Sequence, residues 1–510
     1  MLKEFLTLEE LKKLNPEKIE ALQNKRLQAT LRHMLPHVAF YREFFKKHKV
    51  DPAKIKTVED WKKQGLPLFK KKLYLQGIKD FVVDPHGSRK DIFKAYLHYV
   101  SSLSKIQGLR LLYTALLTAK LSRKKKEALA KEIKSFFSPK MPAFAGGTES
   151  GRPSPVLLTA KQKLELMKNN ADISAYLIMT RHFDEDETIT GMNLFPYAPH
   201  IAWQVINMAA ELRADLNLCT AAGGFLNEEK LINIARTAKP NVFSGMIDYL
   251  INVFLHKAQE EKLRLGKKIV FLNGATKMLE LQRRQIKAMF KKLGAKTVIA
   301  LDGYGASELK EATMAECEEN SGLHHVSPLS CIIRTVKVGK TDPKSGYVYD
   351  WEFTDDQEGG YAVIWNIDGA GTLLEGFLLG DHYDRIAGGR CPRCGLNVKR
   401  IFNVNRVTDL MTEMKIMGVD EEKIDGAMVN LVALREKIMS LRPIKEAQLV
   451  IERGNPHDKL TVNYVACNGH KNGIKPLIKN MFKKYSDIKP AALKQVKMSD
   501  LYSEHNLKYC

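Results

Sequence analysis

No run of eighteen apolar residues occurs anywhere in the 510-residue chain, so no segment reads as a membrane-spanning helix. The first stretch, MLKEFLTLEELKKLNPEK, is charged and helical and lacks the apolar centre of a secretory signal, which predicts a cytoplasmic protein. Cysteine is sparse: seven residues, an odd number at uneven spacing, argue against a disulfide framework and leave metal binding as the use to test. Internal repeats and low-complexity tracts are absent. Acidic residues are outnumbered, 58 against 81 basic ones, for a net charge of +23. That balance invites a nucleic-acid reading, but the lysines are dispersed and no zinc-finger, RNA-recognition or helix-turn-helix pattern accompanies them, so no specific nucleic-acid partner is expected. Dispersed charge is mostly a solvated surface that also concentrates anionic ligands. The hydrophobic fraction of 44% is that of a soluble globular protein, and the length is too great for one core, so two or three domains are expected.

The most informative stretch is KTVIALDGYGASE, Lys296 to Glu308. Val298, Ile299, Ala300 and Leu301 make a short buried-strand run that Asp302, Gly303 and Gly305 interrupt. In open α/β sheets ligands sit beyond the carboxyl ends of the strands, which makes Tyr304 a candidate aromatic platform and Glu308 a candidate metal carboxylate. The same residues would also serve as an ordinary strand exit. Upstream, PAFAGGTESGRPSPV carries Gly146, Gly147, Thr148, Ser150 and Gly151, whose N–H groups and hydroxyls can surround phosphate oxygens, with Arg152 supplying charge.

From Leu226 onward strands and helices alternate: Leu231, Ile234, Ala235 and Ala238 give a helix face, NVFSG a strand, IDYLINVFLHKAQEE a helix, KKIVFLNG a strand. This spacing implies βαβ units and a parallel sheet. Between Tyr347 and Asp384 aromatic and β-branched runs separated by glycines read as antiparallel hairpins. The last hundred residues hold a hairpin, EAQLVIERGNPHDKLTVNYVA, and a helix bearing Leu477, Ile478, Met481 and Phe482, a small α+β domain. The basic segment from Asp91 to Lys140 places Leu109, Leu112, Leu116 and Leu117 on one helical face. Peripheral membrane contact is the minority reading of it, and packing against the body the commoner one.

Cys391 and Cys394, in CPRCG, have the two-residue gap of a zinc knuckle. Cys317 and His324, in AECEENSGLHHV, form a second pair, with His325 as competitor for the histidine position. Four such ligands would make a closed structural Zn2+ site pinning the hairpin region to the sheet. The alternative is unliganded cysteines and a surface histidine.

Taken in order, AGGTESGRP, YGASE, LLGDHYDR, CPRCG and NRVTDLM resemble the phenylacetate–coenzyme A ligase branch of the adenylate-forming enzymes. The resemblance extends to LRHMLPHVAFYREFFKKHKVDPAKIKTVEDWKK and QLVIERGNPHDKLTV and so covers most of the chain, with residues 85–141 looking like a basic helical insertion. It implies an α/β fold: a large adenylate-forming domain over 1–404 with parallel and mixed sheets and a β-rich subdomain, then a small mobile α+β domain over 405–510 after a hinge near Asn405–Asp409. It also implies a reaction in which a carboxylate attacks the α-phosphate of Mg-ATP, giving an acyl-adenylate and pyrophosphate, and a thiol then displaces AMP. Coenzyme A is the default thiol, with an acyl carrier protein or an amine as other acceptors, and a homodimer is compatible with the reading. Residue by residue, the resemblance places Gly147, Thr148, Ser150, Gly151 and Arg152 on the phosphates. Tyr304 falls at the adenine between Asp302, Gly303 and Gly305, with Gly274 nearby; Asp381 and Arg406 fall near the ribose, Glu308 on Mg2+, and Lys508 in the catalytic position. Glu308, Lys508 and Thr148 would then be the catalytic set. The sequence departs from the family pattern at Glu149, an extra residue in the loop; at Arg152, where lysine is common; at Thr408, where an acidic residue is usual; at Gly274–Thr276, which lacks a glutamate; and at Lys508, which lacks its preceding glycine. The acid pocket is assigned to NLFPYAPHIAWQ, where Phe195, Tyr197 and Trp203 would line a cleft or else serve as core aromatics. Two rival readings are adenylyl transfer to a hydroxyl or phenol, and a degenerate, non-catalytic nucleotide-binding homologue.

Overall fold

The computed structural model describes residues 5–83, 95, 98–99, 102–103, 122–128, 131, 139–144, 155–159, 162–197, 201–222, 226–274, 277–339, 345–405, 422–424, 427–429, 431–452, 459–467, 473–485 and 489–501. The chain divides into two compact units: a large one built from Met1–Gly146, Ser154–Thr341 and Gly346–Asn405, and a smaller one that contains Arg406–Cys510.

At the centre of the large unit lies a five-stranded parallel sheet in the order Leu216–Asn217, Thr190–Leu194, Val242–Gly245, Lys268–Asn273, Thr297–Leu301. Apart from the edge strand Leu216–Asn217, its strands are short and mostly buried, as a parallel sheet covered on both faces requires. Phe243 and Phe271 stand level in register, as do Phe271 and Ala300, and all three are fully buried; each phenylalanine contributes roughly 2–3 kcal/mol of burial free energy. The helix Glu280–Lys292 presents Ile286, Met289 and Phe290 to this core, with Leu293 just beyond its end, at the spacing read from the sequence. The helix Glu228–Ala238 buries Leu231, Ile232 and Ala235, so its apolar stripe is rotated towards Ile232, with Ile234 and Ala238 only half-buried.

The hairpin region forms a mainly antiparallel sheet. Its order is Leu323–His324, Arg400–Asn405, Glu375–Ala387, Gly360–Asn366, Cys331–Val338, Trp351–Phe353, with the short strand Leu68–Phe69 pairing against Tyr347–Val348 and Phe377. Pro36 falls in a 3-10 turn, Leu35–His37, where the N-terminal helical run ends, as a missing N–H dictates. In the basic segment the described residues 95, 98–99, 102–103, 123–128 and 131 are helical; a strand, Pro139–Phe144, paired with Pro155–Thr159, begins only at its end, and Leu109, Leu112, Leu116 and Leu117 lie outside the described residues.

In the smaller unit the strands Ile444–Glu452 and Lys459–Ala466 form an antiparallel hairpin, with Ala492–Gln495 parallel to the second. Ile478, Met481 and Phe482 of the helix Ile474–Tyr485 enter its core, whereas Leu477 faces outward at 41% exposure. Among the described residues, no helix is long and apolar enough to cross a membrane.

Candidate functional site

Strand ends of the parallel sheet set the site. Leu194, Gly245 and Asn273 stand level in register, so the residues that follow, Phe195, Met246 and Gly274, emerge together at the carboxyl edge, with Asp302 just past the end of the next strand. Asn273 is fully buried and works as a brace: its Nδ2 donates to Asp302 Oδ1 at 2.7 Å, and its Oδ1 accepts from the backbone of Ile247 at 3.1 Å. Asp302 also accepts from the N–H of Met278 at 3.2 Å and of Gly303 at 3.1 Å. Burial raises its pKa above the usual value while these donors oppose the rise. A β-carbon at Gly303 would stand 2.6 Å from Asn273 O, so only glycine lets the chain turn this close to the neighbouring strand.

Beyond that turn, Gly303–Ala306 and Glu311–Ala315 form a short antiparallel pair closed by the 3-10 turn Ser307–Leu309 and by Lys310 in the left-handed region, φ +56°. Tyr304 and Gly305 lie on the first strand and Glu308 in the turn. The Tyr304 hydroxyl donates to Asp381 Oδ2 at 2.6 Å, and the Tyr383 hydroxyl donates to Tyr304 at 3.2 Å. The two tyrosine rings meet edge to face at 6.0 Å. Burial, then the charge of Asp381, pushes the Tyr304 phenol far above its ordinary value, so it stays a neutral donor.

Glu308 is buried, 4% exposed. Lys71 Nζ lies 3.1 Å from Glu308 Oε1, and Ser307 Oγ donates to Oε2 at 3.1 Å. Burial alone would raise the carboxyl pKa, but the Lys71 cation and these donors together hold it below 4.5. The turn itself is tied to the antiparallel sheet: Asn366 Nδ2 donates to Glu308 O at 3.1 Å, and the wholly buried Lys310 ammonium reaches both oxygens of Asp368, at 2.7 and 2.9 Å, and Ala370 O at 2.8 Å. An oxygen-preferring dication would find in Glu308 a donor of the right type, already set in a fixed turn.

The structure thus brings Tyr304, Asp381 and Glu308 onto one rigid hairpin-and-strand frame. Phe195 is buried, 3% exposed, with its ring against Gly274, where a β-carbon would come within 2.8 Å of it. Tyr197 is 63% exposed and meets Trp203 edge to face at 4.6 Å; the Trp203 indole donates to Thr220 O at 2.9 Å. Gly147, Thr148, Ser150, Gly151, Arg152, Arg406 and Lys508 lie outside the described residues. Sequence reading missed Lys71, Asn273, Tyr383 and the Lys310–Asp368 pair. Tyr383 had a signal, two residues after Asp381 and therefore on the same strand face. Lys71 had none.

The second constellation is the cysteine–histidine cluster. Cys317 follows the strand Glu311–Ala315, His324 lies in the edge strand Leu323–His324, and Cys391 and Cys394 sit in the loop between Glu375–Ala387 and Arg400–Asn405. Gly395, at φ +77°, lets that loop turn, and its N–H bonds to Cys391 O at 2.9 Å. All four side chains are buried and their ligand atoms lie within 4.8 Å of one another. Zinc–sulfur bonds of about 2.3 Å in a tetrahedron put sulfurs about 3.8 Å apart. Cys317 Sγ and Cys391 Sγ are 3.8 Å apart, and Cys394 Sγ lies 3.3 Å from His324 Nε2. His324 Nδ1 faces Ala315 O at 3.0 Å; donating there, it leaves Nε2 free as a ligand. His325 points instead at Cys331 O, at 3.0 Å. Burial works against charge on His324, but hydrogen bonds donated by its ring to Cys317 and Cys391, and attraction to those sulfurs, carry its pKa up to about 9. A cation in the cluster would displace those protons.

Neither a protein-family model nor any curated protein sequence matches the chain. Solved structures do. 2-Hydroxyisobutyryl-CoA ligase in the postadenylation state, in complex with 2-HIB-AMP, aligns at a TM-score of 0.55 and 14% identity over 96% of this chain and 90% of that one. The same ligase in the thioesterification state, with 2-HIB-AMP and CoA, aligns at 0.53 and 15% over 96% and 88%. This chain has the fold of an adenylate-forming ligase. Within the ligase fold, the pair at 303–315 and the strand bearing Asp381 belong to the large unit.

Proposed function

We propose that the protein activates a carboxylic acid as its acyl-adenylate and transfers the acyl group to a thiol, most simply that of coenzyme A. In the first half-reaction a carboxylate oxygen bonds to the α-phosphorus of ATP and pyrophosphate leaves; in the second a sulfur bonds to the acyl carbon and AMP leaves. The observation that carries the reading is the Tyr304–Asp381 hydrogen bond on the same hairpin frame as the buried Glu308, at the carboxyl edge of the sheet in a ligase fold. Asp381 can accept from ribose hydroxyls, and Tyr304, braced by Tyr383, offers a ring to the adenine. Negative charge grows on the phosphoryl oxygens in the transition state, and each fixed donor aimed at it is worth roughly 3–4 kcal/mol. Lys71 supplies one such positive charge beside Glu308. Glu308 would hold Mg2+, which when bound adds positive charge against the phosphates.

The remaining assignments belong to the same proposal. Thr148, Ser150, Gly151 and Arg152 serve the phosphates, Arg406 the ribose, and Lys508 the adenylation step. Phe195, Tyr197 and Trp203 flank the acid. The cysteine–histidine cluster holds a structural zinc ion, a reading supported by its tetrahedral spacing. The phenylacetate–coenzyme A ligase-like branch is the proposed affiliation, and a carrier-protein thiol is the alternative acceptor.

Acid-dependent exchange of labelled pyrophosphate into ATP, screened over aromatic and aliphatic acids, tests the reading. At least one acid is expected to support exchange, and Glu308→Ala to cut it roughly 100-fold or more. Exchange that needs a phenol rather than an acid would reassign the acceptor, and its absence with every acid would refute the proposal.

A further inference from the structure

Four ligands drawn from three separate stretches must meet at the cysteine–histidine cluster, and one side chain from elsewhere in the fold touches two of those stretches at once. The helix Lys168–Ile178 ends in the 3-10 turn Thr180–His182, with the His182 ring capping Leu177 O at 3.0 Å and so fixing the direction in which the turn leaves. Arg181, on that turn, is 13% exposed. Its Nη1 donates to the backbone carbonyl of Cys317 itself. Its Nη2 donates to Arg393 O, inside the CPRCG loop, at 3.1 Å, and to Glu318 Oε1 at 3.1 Å. The other Glu318 oxygen reaches back to Arg393 Nε at 3.4 Å.

We propose that Arg181 is a positioning residue for this metal centre, joining the Cys317 turn to the CPRCG loop so that their thiolates converge before a metal ion binds. The inference rests on the zinc reading above. Two physical terms support it. A bridged pair of turns has already given up much of the chain freedom that would otherwise be lost on binding. Charge supplies the second: three thiolates and a neutral imidazole around a dication leave a net charge of about −1. Two guanidinium groups, Arg181 and Arg393, against one carboxylate, Glu318, place about one compensating positive charge beside it.

The test uses full-length protein loaded with zinc and a chromophoric chelator in competition, comparing wild type with Arg181→Met and Arg181→Lys. Arg181→Met is expected to weaken zinc retention roughly 10- to 100-fold, the usual cost of removing a group that holds a metal ligand. Lysine keeps the charge but cannot span both turns, so it should fall between. Cobalt substitution adds a spectroscopic reading: the thiolate-to-cobalt band should appear in wild type at stoichiometric metal and in Arg181→Met only with excess. Equal zinc retention by wild type and Arg181→Met would overturn the proposal while leaving the zinc site standing. Wild-type protein that neither contains nor takes up zinc would sink both. If Arg181→Met fails to fold even with saturating zinc, the residue is merely structural and the proposal is wrong.

Discussion

Replacing Lys71 by methionine isolates the electrostatics of Glu308, because the apolar stem is kept and only the charge is removed. In the wild type the Glu308 carboxyl is held below 4.5 in the folded state, against burial, chiefly by Lys71. A depressed carboxylate stabilises the fold at pH values above 4.5, and that stability is lost as the pH falls through the folded value. In Lys71→Met the sign reverses: a buried carboxylate without its cation takes up a proton rather than stay charged. Protonating a group whose unfolded value is 4.5 costs about 1.4 kcal/mol per pH unit above that value, so about 3.4 kcal/mol near pH 7 and under about 1 near pH 5. Urea unfolding of the large unit should therefore show Lys71→Met destabilised by roughly 2.5 kcal/mol more near pH 7 than near pH 5. Adding Glu308→Gln should flatten that dependence. A loss equal at the two pH values, or one untouched by Glu308→Gln, would refute the electrostatic account and leave only lost packing.

Further outcomes follow from the same site. Tyr304→Phe removes the donor to Asp381 and should raise the KM for ATP about fivefold, near 1 kcal/mol, in exchange assays. Elemental analysis should find about one zinc per chain. Its removal by a chelator should weaken AMP binding roughly fivefold by calorimetry, because Glu316, next to Cys317, accepts from the Asp302 N–H at 2.8 Å and so links the Cys317 turn to the turn that presents Tyr304, the proposed adenine platform. Lys508→Ala should slow pyrophosphate exchange while a preformed acyl-adenylate still reacts with the thiol, which separates the two half-reactions by direct measurement of each.

The fold class was legible because its signals are local. The short apolar run Val298–Leu301 has the length and composition of a buried strand, Gly303 ends it, and alternating strands and helices point to a parallel sheet. The hairpins between Tyr347 and Asp384 likewise declared themselves by glycine-separated aromatic runs. Where helical faces were misjudged, at Ile232 for Ile234 and at the outward Leu477, the period was right and the neighbouring surface set the rotation. Tyr304 and Glu308 stood out because a strand end and a glycine turn mark where a sheet presents side chains, whereas Asp381, inside the strand Glu375–Ala387, was reached only through the family resemblance.

What tertiary structure alone decided is which charges are paired and buried. Lys71 and Lys310 look like any of the many lysines in a basic chain, yet one holds Glu308 and the other is sealed against Asp368. Arg181 was equally hidden, while His324, taken from the sequence with His325 as its competitor, is the histidine that joins the cluster. A residue's own chemistry and its near neighbours fix strand, helix and turn. The partner that makes a buried charge tolerable comes from a stretch with no sequence relation to it, and only packing brings the two together.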